Sequence, residues 1–294
     1  MRPIALAAVA VLCGFVSPAA GQTPASTAQP QRVIAIGGAI TEILYALGEA
    51  DRVVAVDTTS LYPPEALGQK PNVGYMRQLS AEGVLSLSPD LILMDDGAGP
   101  QQAVELIDAA GVAVQHVPTG YTVAELIEKV RTVSMAVGKA DEGAAMAATI
   151  TAGFDALAAD LEDVTERKRV LFILSLVDGR INAAGSGTGA DAVIRFAGAD
   201  NVFGDVEGYK ILSSEAVAAL QPDAILMVTR PGLEAIDPLT VPGVVATPAG
   251  QAGTVIRMDA LHLLGFGPRT PGALRQLAAT LYPGIVPAEA ADVR

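Results

Sequence analysis

Two tyrosines of this chain open the two copies of one repeated stretch of sequence. The first copy is GYMRQLSAEGVLSLSPDLILM, from Gly74 to Met94, and the second is GYKILSSEAVAALQPDAILM, from Gly208 to Met227. With Leu79 aligned to Leu212, identical residues recur at a constant offset of 133 positions, and the Gly-Tyr pair is shifted by one further position. A period of this length indicates a duplicated domain, because solenoid repeats are only about 20 to 50 residues long. The sequence therefore predicts two similar lobes that face each other.

The duplication places two pairs of polar side chains at matching positions. Tyr75 matches Tyr209, and Glu82 matches Glu215. In a molecule with an approximate twofold axis, the tyrosines would face each other and the carboxylates would form a matched pair. Each glutamate lies near the start of a short predicted helix, where an acidic side chain is favourable by about 0.3 to 1 kcal/mol through the helix dipole. A solvated helix end is therefore the alternative to a functional role for these glutamates.

Tyr75 has the clearest potential for ligand chemistry, because Arg77 follows it two residues later. A phenol ionises at about pH 10 and is a poor ligand while protonated, but a ferric ion and an adjacent guanidinium both favour the phenolate. Tyrosine serves as the axial ligand of haem iron in catalase. Loops between a sheet and a helix commonly carry binding residues at a cleft between domains. By composition alone, a tyrosine that only packs against a turn is the alternative interpretation.

Other candidate sites in the sequence carry weaker signals. The stretch GSGTG, from Gly185 to Gly189, has no following Lys-Ser/Thr, so a tight turn between strand and helix is favoured over a nucleotide site. The chain has two histidines, His116 and His262, which excludes the usual histidine-rich zinc cluster. No GxSxG or HExxH motif is present to suggest catalysis. Arg269, in the late segment LLGFGPRTPGAL, is a further candidate cation.

The first part of the chain and its charge limit the class of protein. Residues 1–21 have the layout of a secretory signal peptide, and their apolar run is shorter than the roughly 18 to 20 residues that span a bilayer. This segment holds the only cysteine, Cys13, which follows a leucine where a lipoprotein signal has a small residue, so we expect a free, soluble, exported product without thiols. Residues 22–31 are polar and predict a flexible leader. A formal charge of −13 argues against nucleic acid or an anionic membrane as a partner.

The remainder of the chain alternates between strand and helix patterns, which predicts an α/β fold with parallel sheets and helices on both faces. The first lobe is predicted at residues 32–120 and the second at 169–294. Residues 121–168 predict a helical connector with a break near Gly138 and one long helix from Glu142 to Thr165. Because a helix is a stiff rod, lobes joined in this way should move little relative to each other. We therefore expect two Rossmann-like lobes joined by one long backbone helix, with a ligand cleft between them.

Taken together, several of these segments resemble a known family. The opening RVIAIGGAITEILYALG, the GYMRQLSAEGVLSLSPDLIL block, the long central helix and the GFGPRTPGAL segment are similar to periplasmic haem-binding proteins of ABC haem importers. Those proteins belong to the helical-backbone substrate-binding proteins, which also include vitamin B12 and siderophore binders. The likeness covers nearly all of the chain from Arg32 to Pro283. Within that superfamily, Tyr-x-Arg ahead of LSAE, together with GFGPRTPxAL, is characteristic of the haem branch.

The resemblance implies a role for each residue of the predicted cleft. Tyr75 would be the axial ligand of the haem iron. Arg77 and Arg269 would be cleft cations near the phenolate or the haem propionates, and Tyr209 would lie opposite. Some relatives that stack two haems use an extra histidine from the second lobe, and the sequence from Gly179 to Ala190 has none. The number of haems bound is therefore left open.

The resemblance also implies a partner and a function. Glu82 and Glu215 would dock onto arginines of the permease. We expect a monomeric periplasmic binding protein, not an enzyme, that delivers ferric haem to the permease dimer of an inner-membrane ABC transporter. The rivals are a cobalamin or ferric-siderophore binder on the same scaffold and, from a different class, a secreted metal-dependent hydrolase.

Overall fold

A computed structural model of the chain describes residues 29–177, 180–230 and 237–287. The predicted signal peptide, most of the predicted leader at 22–31 and the last seven residues of the predicted second lobe lie outside these ranges. Within the described ranges, no helix is both long enough and apolar enough to cross a membrane.

The first lobe contains a four-stranded sheet with helices packed against it. Its strands are β1 (Val33–Ile36), β2 (Val53–Val56), β3 (Leu91–Asp95) and β4 (Ala113–Val117). Its helices are α1 (Gly38–Ala46), α2 (Pro64–Gln69), α3 (Ala81–Leu85) and α4 (Gln101–Asp108). All strand pairs are parallel, in the order β2-β1-β3-β4. The central strands β1 and β3 are apolar runs that are buried along their whole length, as expected for parallel strands covered on both faces.

Helix α2 is the α-helix of the first lobe that the sequence pattern does not indicate. It lies inside residues 57–71, whose Tyr-Pro-Pro motif predicts a loop. Pro64 occupies the first turn of this helix, where the missing N–H of proline has no helical partner to lose. A proline-rich segment therefore forms a short helix here instead of an irregular loop.

The connector consists of two helices, α5 (Val123–Ala136) and α6 (Ala140–Asp160), which pack against each other. A capping box starts α5, in which the Thr122 hydroxyl accepts from the Glu125 N–H and the Glu125 carboxylate accepts from the Thr122 N–H. Gly138, with φ of 74°, forms the predicted break between them. Helix α6 spans 21 residues, or about 32 Å, and ends five residues before the predicted Thr165. Just after its last residue, the Leu161 side chain packs closely against Gly198 of the second lobe.

The second lobe repeats the plan of the first with a larger sheet. Its strands are β5 (Arg169–Val177), β6 (Arg180–Ala184), β7 (Asp200–Asn201), β8 (Tyr209–Leu212), β9 (Ala224–Thr229) and β10 (Val255–Asp259). Its helices are α7 (Gly189–Phe196), α8 (Ser214–Leu220), α9 (Pro242–Val245), α10 (Pro248–Ala252), α11 (Ala260–Leu264) and α12 (Thr270–Leu281). Residues Ala50–Arg52 and Pro238–Thr240 form short 3-10 helices.

The sheet of the second lobe is mixed, whereas the sequence predicts parallel strands in both lobes. Strands β7, β5, β9 and β10 are parallel and correspond to the order of the first sheet. Strands β6 and β8 continue the sheet with antiparallel pairing. The GSGTG stretch leads from β6 into α7 as the predicted tight turn, and the Thr188 side chain caps that helix. The α/β fold class and two-lobe arrangement are confirmed, and the antiparallel edge is an addition to the second lobe.

The predicted duplication is visible in the hydrogen bonds at the base of each lobe. Arg32 precedes β1, and Arg169 opens β5. Their backbone N–H groups donate to the matched aspartates Asp90 and Asp223, each over 2.9 Å. Both guanidinium groups also donate to carbonyl oxygens of the turn that precedes the neighbouring strand in the sheet, which is β3 in the first lobe and β9 in the second. The two lobes therefore close the corresponding turn with the same arginine and aspartate contacts.

The two lobes and the connector share a continuous hydrophobic core. One cluster of buried side chains includes Ile40 of α1, Val130 of α5, Phe172 of β5 and Leu274 of α12. Because side chains from both lobes are buried in this one cluster, separating the lobes would expose apolar surface to water. The free-energy cost of that exposure is about 25 cal/mol per Å². The packing therefore supports the expectation of lobes that move little relative to each other.

Candidate ligand-binding cleft

The loops at the carboxyl ends of β1 and β10 meet where the two lobes face each other. Gly38 directly follows the turn after β1, and a Cβ built on it would lie 2.8 Å from the Leu261 side chain of α11. Glu42 of α1 binds Arg269, which precedes α12. Ligands of open α/β sheets bind outside the carboxyl ends of the strands. This meeting line is therefore the base of the candidate cleft.

Tyr75 lies on an exposed loop of the first lobe that is anchored at both ends. Before it, the Thr58 N–H of the segment after β2 donates to the Gly74 carbonyl over 2.9 Å. After it, the Gly99 N–H donates to the Met76 carbonyl over 2.9 Å. The Tyr75 side chain remains 42% exposed. The backbone is thus held in place while the phenol remains available to a ligand.

Tyr209 is the first residue of β8 in the second lobe and is 39% exposed. Burial of the phenol between the surrounding walls raises its pKa, and the neighbouring Tyr121 acts in the same direction. The Thr188 hydroxyl and the positive charges of Arg77 and Arg230 oppose this rise in the pKa. Tyr209 is therefore a neutral phenol at physiological pH. Because the charge of Arg77 acts on Tyr209, a cation of the first lobe influences a residue of the second lobe.

Arg230 is a residue that the sequence pattern does not single out. It directly follows β9 and its side chain is exposed. Arg230 lies at the carboxyl end of β9, the central strand that matches β3 of the first lobe. This position could have marked it as a cleft residue. Its positive charge, like that of Arg77 from the other lobe, opposes the rise in the pKa of Tyr209.

Arg269 is tied to the first lobe at the base of the cleft. Its Nη2 donates to a Glu42 carboxylate oxygen over 2.8 Å, and its backbone N–H donates to the other oxygen over 3.0 Å. Its guanidinium also lies 3.4 Å from the centre of the Tyr62 ring. The sequence predicts Arg269 as a cation for the ligand, and it provides no sign of Glu42 or Tyr62 as its partners. A direct contact between Arg269 and a ligand stays a prediction.

Lys129 is a buried cation that joins the connector to the second lobe. It lies in α5, is 3% exposed, and its Nζ donates to the Phe266 carbonyl over 3.3 Å. Burial lowers its pKa, while the carboxylates of Asp95 and Glu125 oppose this shift. The Phe266 ring packs against Tyr121 with 5.1 Å between the ring centres. The late GFGPR segment is therefore held from the connector side as well as by Glu42.

His262 of α11 lies beside the Arg269 pair and has a lowered pKa. Burial is the main cause, the positive charge of Arg269 adds to it, and the carboxylates of Glu42 and Asp259 oppose it. An unfolded histidine binds a proton below about pH 6.5, whereas folded His262 resists protonation there. Its contribution to stability is therefore complete above that pH and is lost as the pH falls through the lowered pKa.

We expect His262→Gln to flatten the acid dependence of the unfolding free energy. The wild-type slope should exceed that of the variant by at most about 1.4 kcal/mol per pH unit below pH 6.5, the limit for one proton. Chemical denaturation at pH 7.5, 6.5 and 5.5 measures this slope. His116→Gln, at the other histidine of the chain, serves as the control. Equal slopes for His262→Gln and wild type would contradict the prediction.

Glu82 and Glu215 occupy equivalent exposed positions on the two lobes. Each lies in the first turn of its helix, α3 or α8, after a serine that caps the helix. The Ser80 and Ser213 hydroxyls accept from backbone N–H groups three residues later, each over 3.2 Å. Backbone N–H bonding and the Ser213 side chain lower the pKa of Glu215. The structure therefore presents two matched glutamates at the surface without assigning them a partner.

The fold and the cleft define a class of protein, and comparison with known families agrees. The periplasmic binding protein family matches residues 33–261, and the chain belongs to this family. Members of the family are substrate-binding proteins of ABC transporters and are generally not enzymes. In the described ranges, no group of three or more His, Cys, Asp or Glu side chains is placed to hold a metal ion.

Within this family, the chain is similar to two solved haem binders. The apo form of the periplasmic heme-binding protein RhuT from Roseiflexus sp. RS-1 is 39% identical with a TM-score of 0.81, covering 86% of this chain and 98% of that chain. The periplasmic heme-binding protein BhuT in complex with two hemes is 43% identical with a TM-score of 0.79, covering 85% of this chain and 97% of that chain.

Curated relatives of lower identity include a different ligand class. An uncharacterized ABC transporter substrate-binding lipoprotein, YvrC of Bacillus subtilis, is 28% identical over 87% of this chain and 81% of its own length. A cobalamin-binding protein of Halobacterium salinarum is 28% identical over 86% of this chain and 70% of its own length. The role in substrate binding is therefore common to the relatives, while the named ligands differ.

Proposed function

We propose that this chain binds ferric haem in the cleft between its lobes and delivers it to the permease dimer of an inner-membrane ABC transporter. The observation that carries the proposal is the pair of partly exposed tyrosines, Tyr75 and Tyr209, on opposite lobes, with the positive charges of Arg77 and Arg230 acting on the Tyr209 phenol. Haem has two propionate carboxylates, and a chain with a formal charge of −13 must supply cations locally to hold them. The similarity to RhuT and BhuT, which are named as heme-binding proteins, supports the same ligand.

Each cleft residue has a separate role in this proposal. Tyr75 provides the axial phenolate to the ferric iron, and Arg77 stabilises that phenolate or a propionate. Tyr209 stays protonated and closes the opposite side of the cleft as a hydrogen-bonding phenol. Arg230 adds the second-lobe cation. Arg269 contacts the ligand through Nη1, since Nη2 donates to Glu42 and Nε is buried.

Arg77→Ala is expected to weaken haem binding by about 1.5 to 3 kcal/mol, the usual contribution of a hydrogen bond to a charged group. Haem titration of the ligand-free protein measures the change. Arg131→Ala is a matched control, because Arg131 is an exposed arginine of α5 paired with Glu128 of the same helix. Equal affinities of Arg77→Ala and wild type would show that this cation does not hold the ligand.

Cobalamin is the closest rival ligand, because a relative from Halobacterium salinarum is named as a cobalamin-binding protein. A ferric siderophore on the same scaffold is the next. Separate titrations of the ligand-free protein with ferric haem, cyanocobalamin and a ferric hydroxamate siderophore decide between them. We expect saturable binding with a shifted Soret band for haem and no saturable binding for the other two. Saturation by cyanocobalamin without a haem response would overturn the proposal in favour of a corrinoid binder.

The proposal extends to the cellular setting of the protein. Residues 1–21 serve as a cleaved export signal and residues 22–31 as a leader, so that the protein acts as a monomer in the periplasm. Residues 32–120 and 169–294 form the two ligand-binding lobes, and residues 121–168 connect them. Glu82 and Glu215 contact the permease, and iron uptake is the resulting physiological role.

A further inference from the structure

A buried ion pair crosses between the lobes at the base of the cleft. Glu42 belongs to α1 of the first lobe, and Arg269 precedes α12 of the second lobe. The Glu42 side chain is 5% exposed and the Arg269 side chain is 22% exposed. The two carboxylate oxygens of Glu42 accept from the Arg269 backbone N–H and from its Nη2, so both the chain and the side chain of Arg269 are held. A two-point contact of this kind restricts the position and the orientation of the second-lobe segment.

The ring of Tyr62 provides the second contact of Arg269 with the first lobe. The guanidinium carbon lies 3.4 Å from the ring centre, within the range of a cation–π interaction. Tyr62 is 37% exposed, whereas the Nε of Arg269 is fully buried. One planar group of the second lobe is therefore enclosed by a carboxylate and an aromatic ring of the first.

The first-lobe partners of Arg269 are themselves fixed by a buried network. The Asp57 carboxylate accepts from the backbone N–H groups of Gly37 and Thr59 and from the Ser60 hydroxyl. Ser60 and Thr41 share a hydrogen bond of 2.7 Å between their hydroxyls, which joins the loop of Tyr62 to helix α1 of Glu42. Glu42 and Tyr62 therefore form one rigid receptor for the guanidinium.

The second-lobe side of this contact is closely packed. A Cβ built on Gly267 would lie 3.2 Å from a Glu42 carboxylate oxygen, so the backbone passes directly beside that carboxylate. The carbonyl of the neighbouring Phe266 is bound by Lys129 of the connector. The segment is thus restrained from two sides.

We infer that Glu42, Tyr62 and Arg269 form a clasp between the lobes, which sets the width of the cleft and so controls ligand affinity as a group of positioning residues. Tyr75 and Tyr209 stand on opposite lobes, so the distance between them depends on how the lobes are held. The clasp acts in the ligand-free protein. Only its effect on affinity rests on the proposed function.

The test measures the distance between the lobes in the ligand-free protein. Spin labels are placed at Gln101→Cys in α4 and Gln251→Cys in α10, which are exposed positions on opposite lobes. The only natural cysteine, Cys13, belongs to the predicted signal peptide and does not interfere. Pulsed electron paramagnetic resonance then gives the distribution of label distances.

Glu42→Gln, Tyr62→Leu and Arg269→Gln are each expected to broaden or shift the distance distribution of wild type. Haem affinity should fall about tenfold in Arg269→Gln and by no more than that in the double variant Glu42→Gln/Arg269→Gln, because both changes break one contact. Glu49→Gln is the matched control, because Glu49 forms a buried ion pair with Arg52 inside the first lobe. It should lower stability without changing the distances.

Two results would overturn the clasp. Unchanged distances in all three variants would show that other contacts hold the lobes. A loss of haem affinity in Arg269→Gln at unchanged distances would show that Arg269 acts on affinity only through its own contact with the ligand and not through the width of the cleft. If wild type binds no haem, the proposed function fails while the distances still test the clasp. Tyr62→Leu alters a partly exposed loop residue, so it provides the distance test even if a buried variant does not fold.

Discussion

Tyr75→Phe is expected to abolish the high-spin ferric tyrosinate spectrum of the haem complex and to weaken haem binding at least a hundredfold, or about 2.8 kcal/mol. The substitution keeps the aromatic ring and removes only the oxygen that would bond the iron. The Tyr75 side chain is 42% exposed and its loop is anchored by backbone hydrogen bonds on both sides, so the fold should be unaffected. Visible absorption and electron paramagnetic resonance of the ferric complex measure the axial bond.

Tyr209→Phe is the matched control, because Tyr209 is exposed to a similar extent on the opposite lobe. Its raised pKa makes it a poor source of phenolate, so its removal should leave the tyrosinate spectrum intact. A reversed outcome, with the spectrum lost in Tyr209→Phe and kept in Tyr75→Phe, would move the iron to the second lobe. Loss in neither variant would refute tyrosine ligation by this pair.

The double variant Glu82→Lys/Glu215→Lys is expected to abolish haem uptake through the reconstituted transporter without altering haem affinity or the haem spectrum. Both carboxylates are exposed, each lies in the first turn of an equivalent helix, and the two lobes share one core. Two contacts from one rigid body bind a dimeric permease with an avidity of about 10² to 10⁴ beyond either contact. Reversing both charges should therefore cost more than either single change.

The control for this experiment is Glu105→Lys/Glu162→Lys, which changes the net charge equally at two other exposed glutamates. It should transport at the wild-type rate if the effect depends on position. Normal uptake by Glu82→Lys/Glu215→Lys would show that these residues only stabilise their helix termini. Equal loss in both double variants would indicate a general effect of charge.

The duplicated architecture could be predicted because it is written in local patterns. The shared Pro-Asp pair marks the turn before β3 and before β9, and in both lobes the aspartate receives a backbone N–H from an arginine next to the central strand. Short apolar runs such as VIAI and LILM are typical of parallel strands that are buried on both faces. The break between α5 and α6 is likewise local, because Gly138 adopts a positive φ there.

The features that the sequence did not predict depend on contacts between segments that are distant in the chain. Arg269 is visible as a cation in the sequence, but its pairing with Glu42 connects residues far apart in the chain, and no spacing rule indicates it. Lys129 belongs to a helix pattern in which lysine is normally exposed, yet it is buried against the Phe266 carbonyl. The antiparallel strands β6 and β8 are short, and their pairing depends on the strands beside them: β6 pairs with the edge of β5, and β8 pairs with β6.

The most direct test of haem binding by Tyr75 is a crystal structure of the protein grown with ferric haem, with anomalous data collected at the iron absorption edge. Haem binding by Tyr75 predicts an iron peak bonded to the Tyr75 oxygen between the lobes, with the haem propionates near Arg77 and Arg230. An iron peak bonded to another residue, or haem absent from the cleft at saturating concentration, would contradict it.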